Sequence, residues 1–263
     1  MIRALLDGQL NWHLPLLFIV VCIGIAYFVF MIRNRLLMQD IKPLLFSLGL
    51  LLLYLAIGSP LLSISYLSFS FHMIQMSFLY FIIPPLLLLG IPQQLYKTIV
   101  NKTVIKKYDL SYLSPHASLI LFSALFLLYH LPVFLSVISQ HTFFQTGYIA
   151  VLFIVSFRMW WPLTSPDVKQ RFTASKKKKY LMQSSMYLMP ACLLFIISAL
   201  LADMGNPFLG QMAAHLCLPA DSSIQILPPP FNTKYDQMFA GIVMMALHKS
   251  SLMVTSSSKS NHS

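Results

Sequence analysis

The chain of 263 residues is 57% hydrophobic and only 10% charged, with seven acidic residues against 18 basic ones. Soluble domains carry roughly 25% charged residues, so a soluble fold is excluded because it could not cover its surface with so few. The net charge of +11 would suit a nucleic-acid-binding protein. That class is excluded too, because the basic residues lie in short connections between apolar stretches, where they orient a protein and meet anionic lipid.

Seven apolar stretches are each long enough to cross a bilayer, whose hydrocarbon core of about 30 Å needs about 20 helical residues. The sequence therefore predicts an all-α polytopic membrane protein, with a single seven-helix domain over residues 1–255 and a disordered tail over 256–263. The predicted spans, in chain order, are Leu14–Ile32, Pro43–Leu61, Ser70–Leu89, His116–Ile138, Phe143–Leu163, Leu181–Ala202 and Asp236–Thr255.

The distribution of basic residues predicts the orientation of these spans. Fifteen of the 18 fall in the first, third and fifth connections and at the C-terminal end, where Lys249 and Lys259 lie, whereas Arg3 and Lys234 lie on the other side and Arg158 lies within the fifth span. Lys and Arg accumulate in the cytoplasmic loops of membrane proteins. The sequence therefore predicts an external N-terminus and a cytoplasmic C-terminal tail.

In this orientation, five of the eight histidines fall at or near the outer face: His13, His72, His130, His141 and His215. In the third span, His72 and Met76 are four residues apart and share one face of a helix. Imidazole and thioether together suit copper, because soft thioethers select Cu(I). The alternative is a methionine that only packs against neighbouring helices, since the chain holds 15 of them.

The fourth span carries His130 two residues before Pro132. An ionisable side chain within a span is costly and is by default a functional hypothesis. Pro132 leaves a backbone carbonyl without its usual donor, so His130 could instead join a kinked helix to its neighbour. His141 follows in the short outer loop, and the side chains of His72, His130 and His141 could then lie in one outer layer.

Four other residues are weaker candidates for metal ligation. Met73 adjoins His72, and the sixth connection holds His215 and Cys217, a His-x-Cys pair that could bind copper or zinc or only pack within the loop. Asp236 opens the seventh span, where a carboxylate that caps its own helix is the alternative to a ligand.

Two further motifs predict local structure. The pair Pro84-Pro85 removes two backbone donors from the third span and should kink it near mid-membrane. The sequence Trp160-Trp161-Pro162 closes the fifth span and predicts an aromatic belt at the cytoplasmic interface. The sequence shows no Ser/His/Asp set on one face, no Gly-rich phosphate loop and no paired intramembrane carboxylates, so the protein is predicted not to be an enzyme.

Several of these segments together resemble the CtaG-type cytochrome c oxidase assembly factors, which are seven-span proteins of bacterial plasma membranes. The resemblance runs from about residue 70 to 245, and the block from His72 to Pro85 is its most specific part. The matching segments are Phe71–Met76, Pro84–Pro92, Tyr129–Pro132, His141, Trp160–Leu163, Asp236–Gln237 and Ala240–Gly241.

The resemblance implies a role in the maturation of a haem-copper oxidase, with copper as the metal handled and oxidase subunits as partners. It implies a multi-pass protein of the bacterial plasma membrane. His72, His130, His141 and Asp236 are the functional residues it indicates. The chain departs from the family at Met76, where many members have a second histidine, so its site would be softer.

Two other functions remain open at this point. The first is a metal-free scaffold, or a haem-handling chaperone, for oxidase subunits. The separation of His72 from His130 discriminates here, because two nitrogens on one copper lie about 4 Å apart, whereas two axial histidines must leave room for a porphyrin. The second is a small-solute transporter, which ranks last because the spans offer little polar lining beyond Gln75 and Gln183.

Overall fold

A computed structural model describes residues 12–36, 41–102, 114–138, 141–201 and 228–257. Within these ranges the chain forms helices and turns and no β-strand, which confirms the all-α prediction. The helices, in chain order, are α1 (Leu14–Arg33), α2 (Lys42–Gly58), α3 (Leu61–Ser65), α4 (Phe69–Ser77), a π-helical segment (Phe78–Ile82), α5 (Ile83–Gly90), α6 (Gln93–Lys102), α7 (Pro115–His130), α8 (Pro132–Ile138), α9 (Thr142–Thr164), a 3-10 turn (Val168–Gln170), α10 (Ala174–Leu201) and α11 (Lys234–Ser257).

Five rods are long and apolar enough to cross a membrane: α1, the continuous rod Phe69–Gly90, α9, α10 and α11. Helices α2 and α7 are apolar but shorter, and α8 continues the fourth predicted span after a break at Leu131. The seven predicted spans therefore all fall on helices. Seven crossings and the orientation remain predictions, and residues 258–263 of the predicted tail lie outside the described ranges.

The rod Phe69–Gly90, called the central rod below, lies in the middle of the bundle. In its most apolar stretch, 72% of the rod is buried inside the protein, whereas the corresponding figure for α1 is 11%. Large apolar side chains cover the outside of the bundle, and Phe143, for example, is 83% exposed. An apolar exterior is what contact with lipid requires, because lipid tails are as apolar as these side chains. The central rod also carries His72 and Met76.

The central rod is interrupted at Pro84 and Pro85, as the sequence predicts, but the interruption is a change of helix type. The segment Phe78–Ile82 forms a π-helix, and the Ile83 N–H donates to the Phe78 carbonyl five residues earlier. A π-bulge of this kind accommodates a proline within a helix and re-aims the turn that follows it.

The two prolines also leave two carbonyls without donors, those of Tyr80 and Phe81, because each lies four residues before a proline. The indole N–H of Trp160 donates to the Tyr80 carbonyl at 2.9 Å. The hydroxyl of Ser251, on α11, donates to the Phe81 carbonyl. Side chains from two other helices therefore satisfy the backbone groups that the prolines leave open, as the membrane interior demands.

Trp160 corrects the predicted aromatic belt. Its side chain is 1% exposed and lies inside the bundle, so the predicted interfacial position is wrong for this residue. Trp161 is half-buried, donates its indole N–H to Gln170 at 2.8 Å and packs its ring against Tyr96. Adjacent tryptophans therefore have different roles, because successive helical positions face different directions.

Trp160→Phe should lower the free energy of unfolding by about 1 to 3 kcal/mol, because the Tyr80 carbonyl then stays buried without a donor. Trp161→Phe is the matched control, and its effect should be below about 1 kcal/mol because its bond is exposed. Thermal unfolding of the two variants in the same detergent compares them. Equal losses of stability would contradict the role assigned to the Trp160 indole.

Helices α10 and α11 approach each other closely at Gly241. A Cβ atom at this position would lie 2.7 Å from the Cys192 carbonyl oxygen, and the adjacent Ala240 is wholly buried. Small residues of this kind let membrane helices pack backbone to backbone. Helix α11 therefore packs against both α10 and the central rod.

Candidate functional site

His72 lies in the first turn of α4, at one end of the central rod. Its side chain is 1% exposed. The helix begins after Ser68, whose hydroxyl accepts the Phe71 N–H at 3.4 Å in the geometry of an N-cap. The position of His72 is thus set by the start of the most buried helix in the bundle.

His130 is the last residue of α7, and its side chain is 2% exposed. Its Nδ1 lies 2.7 Å from the Phe126 carbonyl oxygen. A carbonyl can only accept, so Nδ1 carries the hydrogen and Nε2 keeps its lone pair. Among the described residues Nε2 has no hydrogen-bond partner although it is buried. This is the tautomer that metal-binding histidines adopt, with one ring nitrogen held by a carbonyl and the other available as a ligand.

The predicted alternative for His130, a bond that joins a kinked helix to its neighbour, does not describe this contact. The hydrogen bond returns to Phe126 within α7 itself. Its ring packs against the rings of Phe126 and Phe195, with centroids 4.4 and 5.4 Å away. The orientation of His130 is therefore fixed by packing on one side and by a backbone bond on the other.

The structure brings His72 and His130 together, and we call them the outer histidine pair. Their ring centroids are 6.5 Å apart with the planes tilted by 56°. Tyr129 and Tyr66 stack near His72, at 6.2 and 6.1 Å. Burial raises the pKa of the Tyr66 hydroxyl above its usual value, so the site keeps a neutral phenol beside it. Two buried imidazoles thus lie near each other among aromatic rings.

The other predicted ligands are placed less favourably. His141 is exposed at the start of α9 and packs against Phe144, and no contact among the described residues joins it to the outer histidine pair. Met73 and Met76 are both buried on α4. His215 and Cys217 lie within residues 202–227, outside the described ranges. Ligand roles for all of these residues remain predictions.

Asp236 stabilises the start of a helix that is not its own. Its buried carboxylate accepts hydrogen bonds from five donors: Ser68 Oγ (3.0 Å), Phe69 N (2.9 Å), Ser70 N (3.3 Å), Ser70 Oγ (2.5 Å) and Asn232 N (3.0 Å). Four of these belong to the N-terminus of α4, where unpaired N–H groups and the helix dipole favour a negative charge.

Asp236 was predicted to cap its own helix, the seventh predicted span. In the structure it caps α4, the start of the third. A carboxylate offers about four lone-pair sites, and the five donors occupy them. This disfavours Asp236 as a metal ligand and gives it the task of holding the turn that carries His72. The two serines at positions 68 and 70 were missed in the sequence, although a serine before an apolar helix is a recognisable N-cap signal.

The sequence reasoning also missed His248, on α11. It is 3% exposed, with Nε2 3.1 Å from the Ser184 hydroxyl, and its ring packs on Phe81 at 4.8 Å. A histidine inside a bundle and bonded across to α10 is an uncommon feature. Only its position near the end of the seventh span is visible in the sequence.

Among the described residues, no three His, Cys, Asp or Glu side chains are grouped as a metal site would need. A metal at the outer histidine pair would therefore use two imidazoles together with a neutral ligand such as the Met76 thioether. The donor set would be soft and uncharged, which suits Cu(I) better than Zn²⁺ or Mg²⁺.

A helical bundle with five apolar rods of membrane-spanning length defines the class of this protein, that of the all-α membrane proteins. The chain belongs to the family of cytochrome c oxidase caa3 assembly factors (Caa3_CtaG), whose sequence model matches residues 25–256. The match includes both members of the outer histidine pair and Asp236, and it confirms the resemblance. No curated protein and no solved structure was found to match the chain.

Proposed function

We propose that this protein assists the insertion of copper into a caa3-type cytochrome c oxidase at the outer face of the bacterial plasma membrane. Copper is its cargo, and oxidase subunits are its partners. The observation that carries the proposal is the outer histidine pair, in which the buried Nε2 of His130 has no hydrogen-bond partner in the described part of the chain and His72 lies beside it. Family membership indicates which oxidase is the partner and agrees with a role that is not catalytic.

The donor set fits copper as a passing cargo. Two neutral imidazoles and a thioether can hold Cu(I) without placing a charged ligand in the membrane, where a charge is costly. Met76 follows His72 by one helical turn on the same buried face of α4. A site of this kind binds a soft cation and excludes the harder ions that prefer carboxylates.

The haem alternative is less well supported by the packing around the outer histidine pair. A porphyrin between the two imidazoles would have to replace the rings that contact His130 directly, those of Phe126, Tyr129 and Phe195. Their centroids lie between 4.4 and 5.4 Å from the His130 ring. A single metal ion requires no such displacement, because it carries no porphyrin ring.

The transporter alternative is disfavoured by the aromatic rings packed in the middle of the bundle. Tyr80, Phe122 and Phe126 are wholly buried there; Tyr80 packs edge to face on both phenylalanines, which stack on each other. A polar solute would have to separate these rings to pass between the two halves of the bundle. Rings packed at such contact distances favour a closed core over a pathway.

The proposal is tested by complementation of a bacterium that has a caa3-type oxidase and lacks its own assembly factor. We expect His72→Leu/His130→Leu to yield oxidase with normal haem but depleted copper, and at least tenfold lower oxidation of cytochrome c. His116→Leu is the matched control, because His116 lies exposed at the other end of α7 and its loss should change neither quantity.

Immunoblots of the membranes confirm that each variant is present at the wild-type level. Oxidase with normal copper and activity in cells that carry the double variant would overturn the proposal and favour the metal-free scaffold. Oxidase that lacks haem while it keeps its copper would favour the haem-handling chaperone instead.

A further inference from the structure

A groove of about 250 Å³ lies between α10 and α11, remote from the outer histidine pair. Its lining is unusual for a membrane protein because sulfur and imidazole groups dominate it. We call this the methionine groove, after the four methionines among its lining residues, which are Met182, Ser185, Met186, Leu188, Met189, Cys192, Met245, His248 and Lys249. We propose that the methionine groove is a second Cu(I)-binding site of this protein.

The helical register aligns these side chains in two facing rows. Met182, Met186 and Met189 follow one another at intervals of four and three residues along α10, which places them on one face of the helix. Met245 and His248 are three residues apart on α11 and share a face in the same way. The close contact of the two helices at Gly241, one turn before Met245, holds the rows opposite each other.

The thioether, thiol and imidazole groups of the lining favour a soft monovalent cation, and a single positive charge is repelled less by the Lys249 ammonium than a double one. Thioether, thiol and imidazole groups all bind Cu(I), whereas Mg²⁺ and Ca²⁺ need oxygen ligands. Cys192 is buried at the base of the groove, and four of the 15 methionines of the chain line it. A packing role alone would be served equally by leucine, which is commoner in membrane helices.

His248 has the setting of a ligand whose orientation is fixed by a second residue. Its Nε2 lies 3.1 Å from the Ser184 hydroxyl, which can accept the Nε2–H and leave the lone pair on Nδ1. Its ring rests on Phe81 of the central rod. Partners that hold one ring nitrogen in this way orient metal-binding histidines and raise their basicity.

The methionine groove and the outer histidine pair lie toward opposite ends of the bundle. His248 packs on Phe81, which follows His72 by nine residues on the central rod, or about 13 Å at 1.5 Å per residue. Under the predicted orientation the groove therefore belongs to the cytoplasmic half. The inference goes beyond the proposed function and does not depend on it, because it stands on the residues of the groove alone.

The test measures Cu(I) binding to the purified full-length protein in detergent, without oxygen, by competition with a chromophoric Cu(I) chelator. We expect the variant Met182→Leu/Met186→Leu/Met189→Leu to bind Cu(I) in the groove at least tenfold more weakly. X-ray absorption of the bound copper should show sulfur neighbours in the wild type and fewer in the variant. Met253→Leu is the matched control, because Met253 is an exposed methionine of α11 outside the groove.

Leucine conserves the volume and apolarity of methionine, so the fold should be retained, and His248→Gln gives a second readout on the other helix. Wild-type affinity in both groove variants, or an equal loss in Met253→Leu, would overturn the inference. The variant His72→Leu/His130→Leu should keep the sulfur-bound copper. The experiment therefore distinguishes a methionine groove that does not bind Cu(I) from an outer histidine pair that does not bind it.

Discussion

Asp236→Ala is expected to lower the free energy of unfolding by about 3 kcal/mol or more, because it leaves several buried donors without an acceptor. Two of these donors are backbone N–H groups in the first turn of α4, and two are the hydroxyls of Ser68 and Ser70. The variant should also fail to support oxidase maturation, because the same turn positions His72.

The measurement is thermal unfolding of the purified protein in detergent, followed by circular dichroism. Asp236→Asn is the matched control, because it has the same shape and keeps one carbonyl oxygen, and its loss of stability should be about half as large. A second control, Asp167→Ala, removes a half-buried acidic side chain that accepts exposed bonds from Gln170 and the Lys169 N–H and one part-buried bond from Gln93. If Asp236→Ala were as stable as the wild type, the helix-capping role would be wrong.

His130→Leu should weaken Cu(I) binding at the outer histidine pair by at least a hundredfold, or about 2.7 kcal/mol. The reason is that His130 supplies the buried nitrogen that has no protein partner. The titration is made with the three methionines of the groove already replaced by leucine, so that a single site is observed. His130→Met should restore part of the affinity, because a thioether is also a Cu(I) ligand.

His141→Leu serves as the comparison for this prediction. His141 is exposed and packs against Phe144, so we expect its removal to leave the affinity of the outer histidine pair unchanged. A loss equal to that of His130→Leu would instead place His141 among the ligands, as the family resemblance implies. Unchanged Cu(I) binding in His130→Leu would rule out the outer histidine pair as the copper site.

The helices of this protein were largely predictable from its sequence, and their interactions were not. Apolar runs place the helices within a few residues, because a stretch of about 20 apolar residues has few alternatives to a membrane helix. The break at Pro84 and Pro85 was also predictable, since proline lacks the donor. Its form was not, because the π-helix depends on Trp160 and Ser251, which lie 80 and 170 residues from their acceptors.

The candidate site shows the same division. His72 and His130 stand out because ionisable residues are rare within spans, but their proximity depends on which rods touch, and the sequence does not contain that information directly. Asp236 was assigned to the helix on which it lies because N-caps are usually local. His248 was passed over because its burial arises from the packing of α10, α11 and the central rod.

The contact between Asp236 and the start of α4 has a consequence for biosynthesis. Ser68 and Asp236 are 168 residues apart, so at 5 to 20 residues per second the ribosome makes the second roughly 10 to 30 s after the first. Throughout that interval the N–H groups in the first turn of the central rod lack the Asp236 carboxylate as their acceptor. The outer histidine pair therefore reaches its final geometry only after the last span has entered the membrane. The N-cap of the most buried helix is accordingly completed only once α11 has been made.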